Sequence, residues 1–238
     1  MTKISVAAIQ SIARPGDLRG SVNDHVRLAL CAAERGARLA IFPELSLTGY
    51  DRRLAPTAAV VPTDPRLHPL QRVADRHDIT IVVGAPLISP RGLEIGAVCF
   101  SARRGPGTYS KRFLHDGEEA AFVPGLGGEP LGVDGVSVCL AICADTAHPE
   151  HAQDAAARGA ALYAASSFIT PEGYAHDAAL LAGYAARHQM AVLMANYGAP
   201  TSVWQSAGRS AIWSPGGRLL AQASAGGEEV LVAFLDVA

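Results

Sequence analysis

GVSVCLAICADTAHPEHA, residues 135–152, is the stretch from which the fold class can be read. Val136, Val138, Leu140 and Ile142 alternate with Ser137, Cys139 and Ala141, and nothing in the run is charged, as in a buried strand. The run stops at Cys143 and turns polar through Ala144, Asp145, Thr146 and His148. Pro149 and Glu150 then open a helix, because proline fits the first turn and an acid favours the N-terminal dipole. Cys143 therefore stands where a buried strand ends, just ahead of a helix start. Unpaired N–H groups there carry partial positive charge, which favours thiolate over thiol. A cysteine is more often a small core residue. Cys139, inside the strand, is read that way, whereas the position of Cys143 asks for a second explanation.

Working outward, the same alternation of strand and helix continues on both sides. Upstream, residues 4–10 read as a strand and 17–36 as an amphipathic helix with Val22, Val26, Leu30 and Ala33 on one face, closed by Gly36. Residues 38–42 form a second buried strand, 51–63 a loop, 68–77 a helix and 79–86 a strand. Residues 93–102 and 108–113 then make a hairpin around a turn of Arg, Gly and Pro, and a loop over 123–135 leads into the cysteine strand. Downstream come a helix at 149–158, a strand at 160–166, a helix at 175–188 and a strand at 190–195. The C-terminal third, GRSAIWSP, GGRLLAQA and EVLVAFLD, is hairpin-like. No linker or repeat interrupts the chain, so 1–238 is read as a single α/β domain mixing parallel and antiparallel strands, with helices outside.

Composition narrows the function classes. A net charge of −2 and a pI near 6.4 leave no electrostatic case for nucleic acid or an anionic membrane. No apolar run approaches the roughly 20 residues of a membrane helix, and the opening Met1-Thr2-Lys3 runs straight into a strand rather than a signal peptide. A cytoplasmic protein is expected. Cys31, Cys99, Cys139 and Cys143 show no paired spacing, which argues for reduced thiols. Of 20 basic residues only Lys3 and Lys111 are lysines.

Two further residues share the logic of Cys143. Glu44 directly follows the uncharged run 39–43, where a charge needs something to satisfy it. Lys111 sits in the second half of the hairpin, in a chain that otherwise writes its cations as arginine. Open α/β sheets meet their ligands at the carboxyl ends of strands, and Glu44 and Cys143 both stand at such ends. A thiolate to attack a carbonyl or nitrile carbon, a carboxylate to move protons and an ammonium to steady the developing oxyanion make a coherent catalytic set.

PELSLTGY at 43–50, YSKRFLHDGEEAAFVPG at 109–125 and ICADTAHPE at 142–150 resemble the three signature blocks of the nitrilase superfamily, the carbon–nitrogen hydrolases. The likeness extends to ISVAAIQ at the start and EVLVAFLD at the end, so it spans nearly the whole chain. The resemblance implies an α-β-β-α sandwich, a homodimer or an assembly built on one, no cofactor, no metal, and a small-molecule amide as substrate. It implies Glu44 as general base, Lys111 as oxyanion stabiliser, Cys143 as nucleophile and the N–H of Ala144 as a second oxyanion donor. A further glutamate four residues before the aromatic of F-x-P-G would be Glu118, with Glu119 the lesser choice. Tyr50, Ser166, Ser167 and Asn196 fall at strand ends and are candidate substrate contacts. Where nitrilases carry Trp-Glu after the cysteine this chain has Ala144-Asp145, which points to an amidase. Thr146-Ala147 replaces an arginine that many amidases use to hold a substrate carboxylate, and Phe113 stands where the family usually has histidine.

Other readings compete. An N-carbamoyl hydrolase or a nitrilase would use the same three residues. Cys143, Asp145, His148 and His151 have ligand types that suit zinc, without its usual paired spacing. A Cys-His pair could use His148 or His188 as base. A non-catalytic relative that binds a ligand or partner should have lost one of the three catalytic residues, and none is lost.

Overall fold

The computed structural model describes residues 2–201 and 204–237. The first half of the chain runs β1 (Thr2–Gln10), α1 (Leu18–Glu34), β2 (Leu39–Ile41), α2 (Ala55–Ala58), α3 (His68–His77), β3 (Thr80–Ser89), β4 (Gly92–Phe100) and β5 (Gly107–Ser110). The second half runs β6 (Leu131–Val133), β7 (Val136–Ile142), α4 (Pro149–Ala157), β8 (Leu162–Ser166), α5 (Tyr174–His188), β9 (Ala191–Ala195), β10 (Ala211–Trp213), β11 (Leu219–Gln222) and β12 (Glu229–Val237). Two six-stranded sheets result, with orders β12-β1-β2-β3-β4-β5 and β11-β10-β9-β8-β7-β6. In each, three adjacent strands are parallel, β1, β2 and β3 in the first and β7, β8 and β9 in the second, and the flanking pairings are antiparallel.

Strand alternation sorts the side chains into three apolar layers. Ile4, Val6 and Ala8 of β1 and Val136, Val138, Leu140 and Ile142 of β7 meet in the layer between the sheets. Ala7 and Ile9 turn the other way, onto α1 and α3. Cys139 and Ala141 turn outward onto α4 and α5. Each fully buried aliphatic chain in these layers stabilises by about 1.5–3 kcal/mol. The architecture is therefore an α-β-β-α sandwich, with Cys139 a core residue of its outer layer.

Several local expectations need correction. The 123–135 loop contains β6, which pairs antiparallel with β7 through a turn at Asp134 and Gly135, both at positive φ. The presumed loop 51–63 holds the short helix α2, begun by Pro56 near its N-terminus. Lys111 lies just beyond β5 rather than within it. Of the C-terminal strands only β10 and β11 form a hairpin; β12 crosses to the first sheet and pairs with β1 along its length. Between β7 and α4 the chain makes a 3-10 turn over Cys143–Ala147, so the cysteine begins that turn and not the helix.

Candidate active site

Glu44 and Cys143 leave their sheets in similar ways. β2 ends at Ile41, and Leu45, directly after Glu44, has φ of 50°. β7 ends at Ile142, and Cys143 itself has φ of 45°. Non-glycine residues seldom adopt this left-handed conformation, so both side chains are aimed by a local kink that the surroundings must hold. At the glutamate, Gly84 of β3 makes room: a Cβ there would lie 2.3 Å from the Leu45 nitrogen and 2.5 Å from the Pro43 oxygen. Ser46 Oγ accepts from the Gly84 N–H at 3.1 Å and meets His25 Nε2 at 2.9 Å. Tyr197 O–H donates to the Glu44 carbonyl at 2.6 Å, linking it to the second sheet.

Lys111 is the hub of the charges. Its Nζ donates to Glu44 Oε1 at 2.7 Å and to both oxygens of Glu118 at 2.9 Å, and all three side chains are buried. Lys111 itself is 0% exposed, so it is not one of the chain's surface charges. Burial alone would lower its pKa; the facing Glu44 and Glu118 carboxylates and the Cys143 sulfur outweigh that, and the net shift is upward. Glu118 also accepts from Tyr50 O–H at 2.6 Å and from the His115 N–H at 2.8 Å, whereas Glu119 is exposed.

Glu44 is pushed up to about 7, chiefly by burial, with Lys111 pulling down and Glu118 pushing up. Its second oxygen, Oε2, is buried without a hydrogen-bond partner. Cys143 donates its thiol to the Phe168 carbonyl at 3.5 Å. Burial first, and the Glu44 charge second, raise the pKa of this thiol well above its ordinary value despite Lys111. The expectation that a helix terminus would favour the resting thiolate is thus overturned: the helix begins six residues later, and desolvation dominates. A neutral thiol and a carboxyl group poised near neutrality thus line the same cavity. Among the described residues the Ala144 N–H, at the start of the turn, has no hydrogen-bond acceptor.

These groups open into a cavity of about 140 Å³ lined by Glu44, Tyr50, Arg52, His115, Asp116, Cys143, Phe168, Thr170 and Trp204. Tyr50 stacks on Phe168 with ring centroids 5.3 Å apart. Of the other candidate contacts, Asn196 spends its amide inside the fold: Oδ1 accepts from the Ile169 and Tyr197 N–H groups, and Nδ2 donates to the Ile169 and Gly208 carbonyls. Ser166 and Ser167 are buried near it and do not line the cavity. Arg52, His115, Asp116, Thr170 and Trp204 escaped the sequence reading, because isolated loop residues carry no periodic signal.

The four side chains weighed as a zinc set do not converge. Asp145 accepts four protein donors, His151 is bonded through both nitrogens to Tyr109 and Tyr163 at 2.8 Å, and His148 is half-buried and stacked on Phe113. Neither His148 nor His188 lines the cavity with Cys143.

Comparison with known proteins agrees with this geometry. The family model for carbon–nitrogen hydrolases matches residues 5–238. A hydrolase of Mycobacterium tuberculosis (strain H37Rv) is 31% identical over 231 residues, covering 87% of this chain and 80% of the relative. A nitrilase of Pyrococcus abyssi is 29% identical over 219 residues, covering 87% and 79%. Among solved structures, an amidase of the nitrilase superfamily from Nesterenkonia sp. AN1, in a cysteine-to-alanine form, superposes with a TM-score of 0.87 at 27% identity, covering 98% of this chain and 90% of that one. The same amidase has been seen in complex with butyramide and, in a glutamate-to-leucine form, with the acetamide moiety of fluoroacetamide added at its active-site cysteine. The chain belongs to the carbon–nitrogen hydrolase family, within the nitrilase superfamily.

Proposed function

We propose that the chain is a small-molecule amidase working through Glu44, Lys111 and Cys143, with Glu118 holding the lysine. The carrying observation is Lys111, fully buried and bonded to both carboxylates beside the thiol. Glu44 takes the Cys143 proton as the sulfur attacks the amide carbon. Lys111 and the Ala144 N–H stabilise the oxyanion. Glu44 returns its proton to the leaving nitrogen, ammonia departs and a thioester remains. Water, deprotonated by Glu44, then attacks the thioester, and the proton Glu44 takes goes back to the sulfur as the acid leaves. The cavity holds about five water-sized groups, which suits a short acyl chain like the butyramide seen in the Nesterenkonia amidase.

Ammonia release should be screened over primary amides, ω-amides, N-carbamoyl compounds and matching nitriles. Turnover of a short amide with little of its nitrile is expected, and hydroxylamine should divert the thioester to a hydroxamate. Cys143→Ala should lose both reactions with its fold intact; retained activity in that variant overturns the scheme. A homodimer and a cytoplasmic location belong to the same reading. Sedimentation of the purified protein tests the first, and cell fractionation the second.

A further inference from the structure

The site is assembled from two sheets, and the segment that runs from β5 of the first to β6 of the second carries Lys111 and Glu118. Glu44 follows β2 and Lys111 directly follows β5, both strands of the first sheet. Cys143 comes from the second, and its thiol is hydrogen-bonded there, to the Phe168 carbonyl after β8. Tyr197 ties the Glu44 backbone across the gap. The lysine needs a tie of its own.

Asp145 supplies it. Its Oδ1 accepts from the Arg112 and Phe113 N–H groups, both at 2.9 Å, which are the two residues after Lys111. Its Oδ2 accepts from the Ile142 N–H at 3.0 Å, the residue before Cys143, and from Tyr109 O–H at 2.7 Å, two residues before the lysine. The side chain is fully buried. Because the Tyr109 hydroxyl gives its proton to Asp145, its oxygen accepts from His151 Nε2–H, and His151 Nδ1 accepts from Tyr163 O–H. One carboxylate therefore grips both flanks of the lysine and the near flank of the cysteine.

We propose that Asp145 is a positioning residue that sets the placement of Lys111 against Cys143 across the two sheets. Asparagine cannot replace it: whichever way its amide turns, the NH₂ group faces either the Arg112 and Phe113 N–H pair or the Ile142 N–H. The lysine segment would then draw away from the cysteine turn. Displacements near 1 Å cost on the order of 10²-fold in rate.

The proposal uses the amidase reading only for its turnover test, so a second readout is independent of substrate. Iodoacetamide alkylates a cysteine as sulfur displaces iodide, and here the thiol proton passes to Glu44. The rate at Cys143, followed by peptide mass spectrometry from pH 5 to 9, should rise through the Glu44 ionisation near 7. Glu44 is faced by Lys111, Glu118, Cys143, Tyr50 and Tyr197, and of these Lys111 alone holds its pKa down by charge. Asp145→Asn should move that rise upward by about one unit and lower kcat about 10²-fold with KM nearly unchanged. A residue that matters only for folding would scale the profile without moving it. A folded Asp145→Asn with an unmoved rise, whatever its rate, overturns the proposal. If that variant does not fold, Tyr109→Phe removes one donor of the four and should move the rise the same way by less; no movement overturns the proposal equally. A wild type that alkylates with this profile but releases no ammonia from any amide defeats the amidase reading and leaves the positioning test standing.

Discussion

The ends of β2 and β7 solve one problem with different chemistry. Each must hold a reactive side chain at the end of a buried parallel strand, and each does so through a kink with φ near 50°. Around the Glu44 backbone the supports are neutral: the missing side chain of Gly84, the Ser46–His25 pair and the Tyr197 hydroxyl. Around Cys143 the support is a carboxylate, Asp145, satisfied by four donors. The Glu44 carboxylate, which exchanges a proton in the proposed mechanism, already has Lys111 pulling its pKa down and Glu118 pushing it up. A further anionic brace beside it would push its pKa higher. The cysteine end carries a neutral thiol and tolerates an anionic brace on its far side.

Substitutions at each end can break or sharpen this contrast. Glu44→Gln keeps the shape of the glutamate end and removes only the proton exchange, so kcat should fall by about 10²–10⁴-fold; a variant with half the wild-type turnover would make Glu44 structural. Lys111→Arg keeps the charge at the joint between the ends but replaces a compact donor by a wide planar one. A fall of about 10²–10³-fold in kcat with little change in melting temperature is expected, and near wild-type rates would refute the oxyanion role. Gly84→Ala strains the neutral brace without touching a reacting group. It should lower kcat by about 10²-fold and stability by about 1–3 kcal/mol, and an unaltered variant would show that the Glu44 kink is not held by close approach.

The last effect is one of pH and leaves turnover at neutral pH untouched. Burial pushes His25 down to about 4, against the Ser21 carbonyl and Asp24. The unfolded chain takes up that proton near pH 6.5, the folded chain only near 4. The stabilising effect of neutral His25 is therefore present above 6.5 and lost as pH falls to 4, about 3 kcal/mol in all. Denaturant unfolding of wild type and His25→Gln should give a stability difference that shifts by about that amount between pH 7 and pH 4, against the wild type. A difference constant with pH would mean that His25 titrates normally.

What could be read in the sequence follows from which features are local. Uncharged runs that end abruptly in a polar residue marked Glu44 and Cys143, and the rarity of lysine marked Lys111. The strands adjoining these residues were legible from alternation alone. The destination of β12 was not, since EVLVAFLD alternates like any strand and its partner β1 is set by tertiary packing. Nor was the state of the thiol. Its desolvation arises from a pocket whose walls come from loops spread from Glu44 to Trp204. Asp145 was visible as an amidase-side residue and as a possible metal ligand but not as a brace, because three of its four donors come from the distant stretch 109–113.

The pairing of β1 with β12 also sets an order in time. Thr2 lies opposite Val237 and Gln10 opposite Glu229, so β1 is completed by a strand synthesised much later. Translation at about 5–20 residues per second separates them by roughly ten to forty seconds. Through that interval β1 can join β2 on one side while its other edge offers unpaired N–H and C=O groups to any extended neighbour. The nascent chain therefore carries an open sheet edge through that interval, and β12 closes it against mispairing only once it has been made.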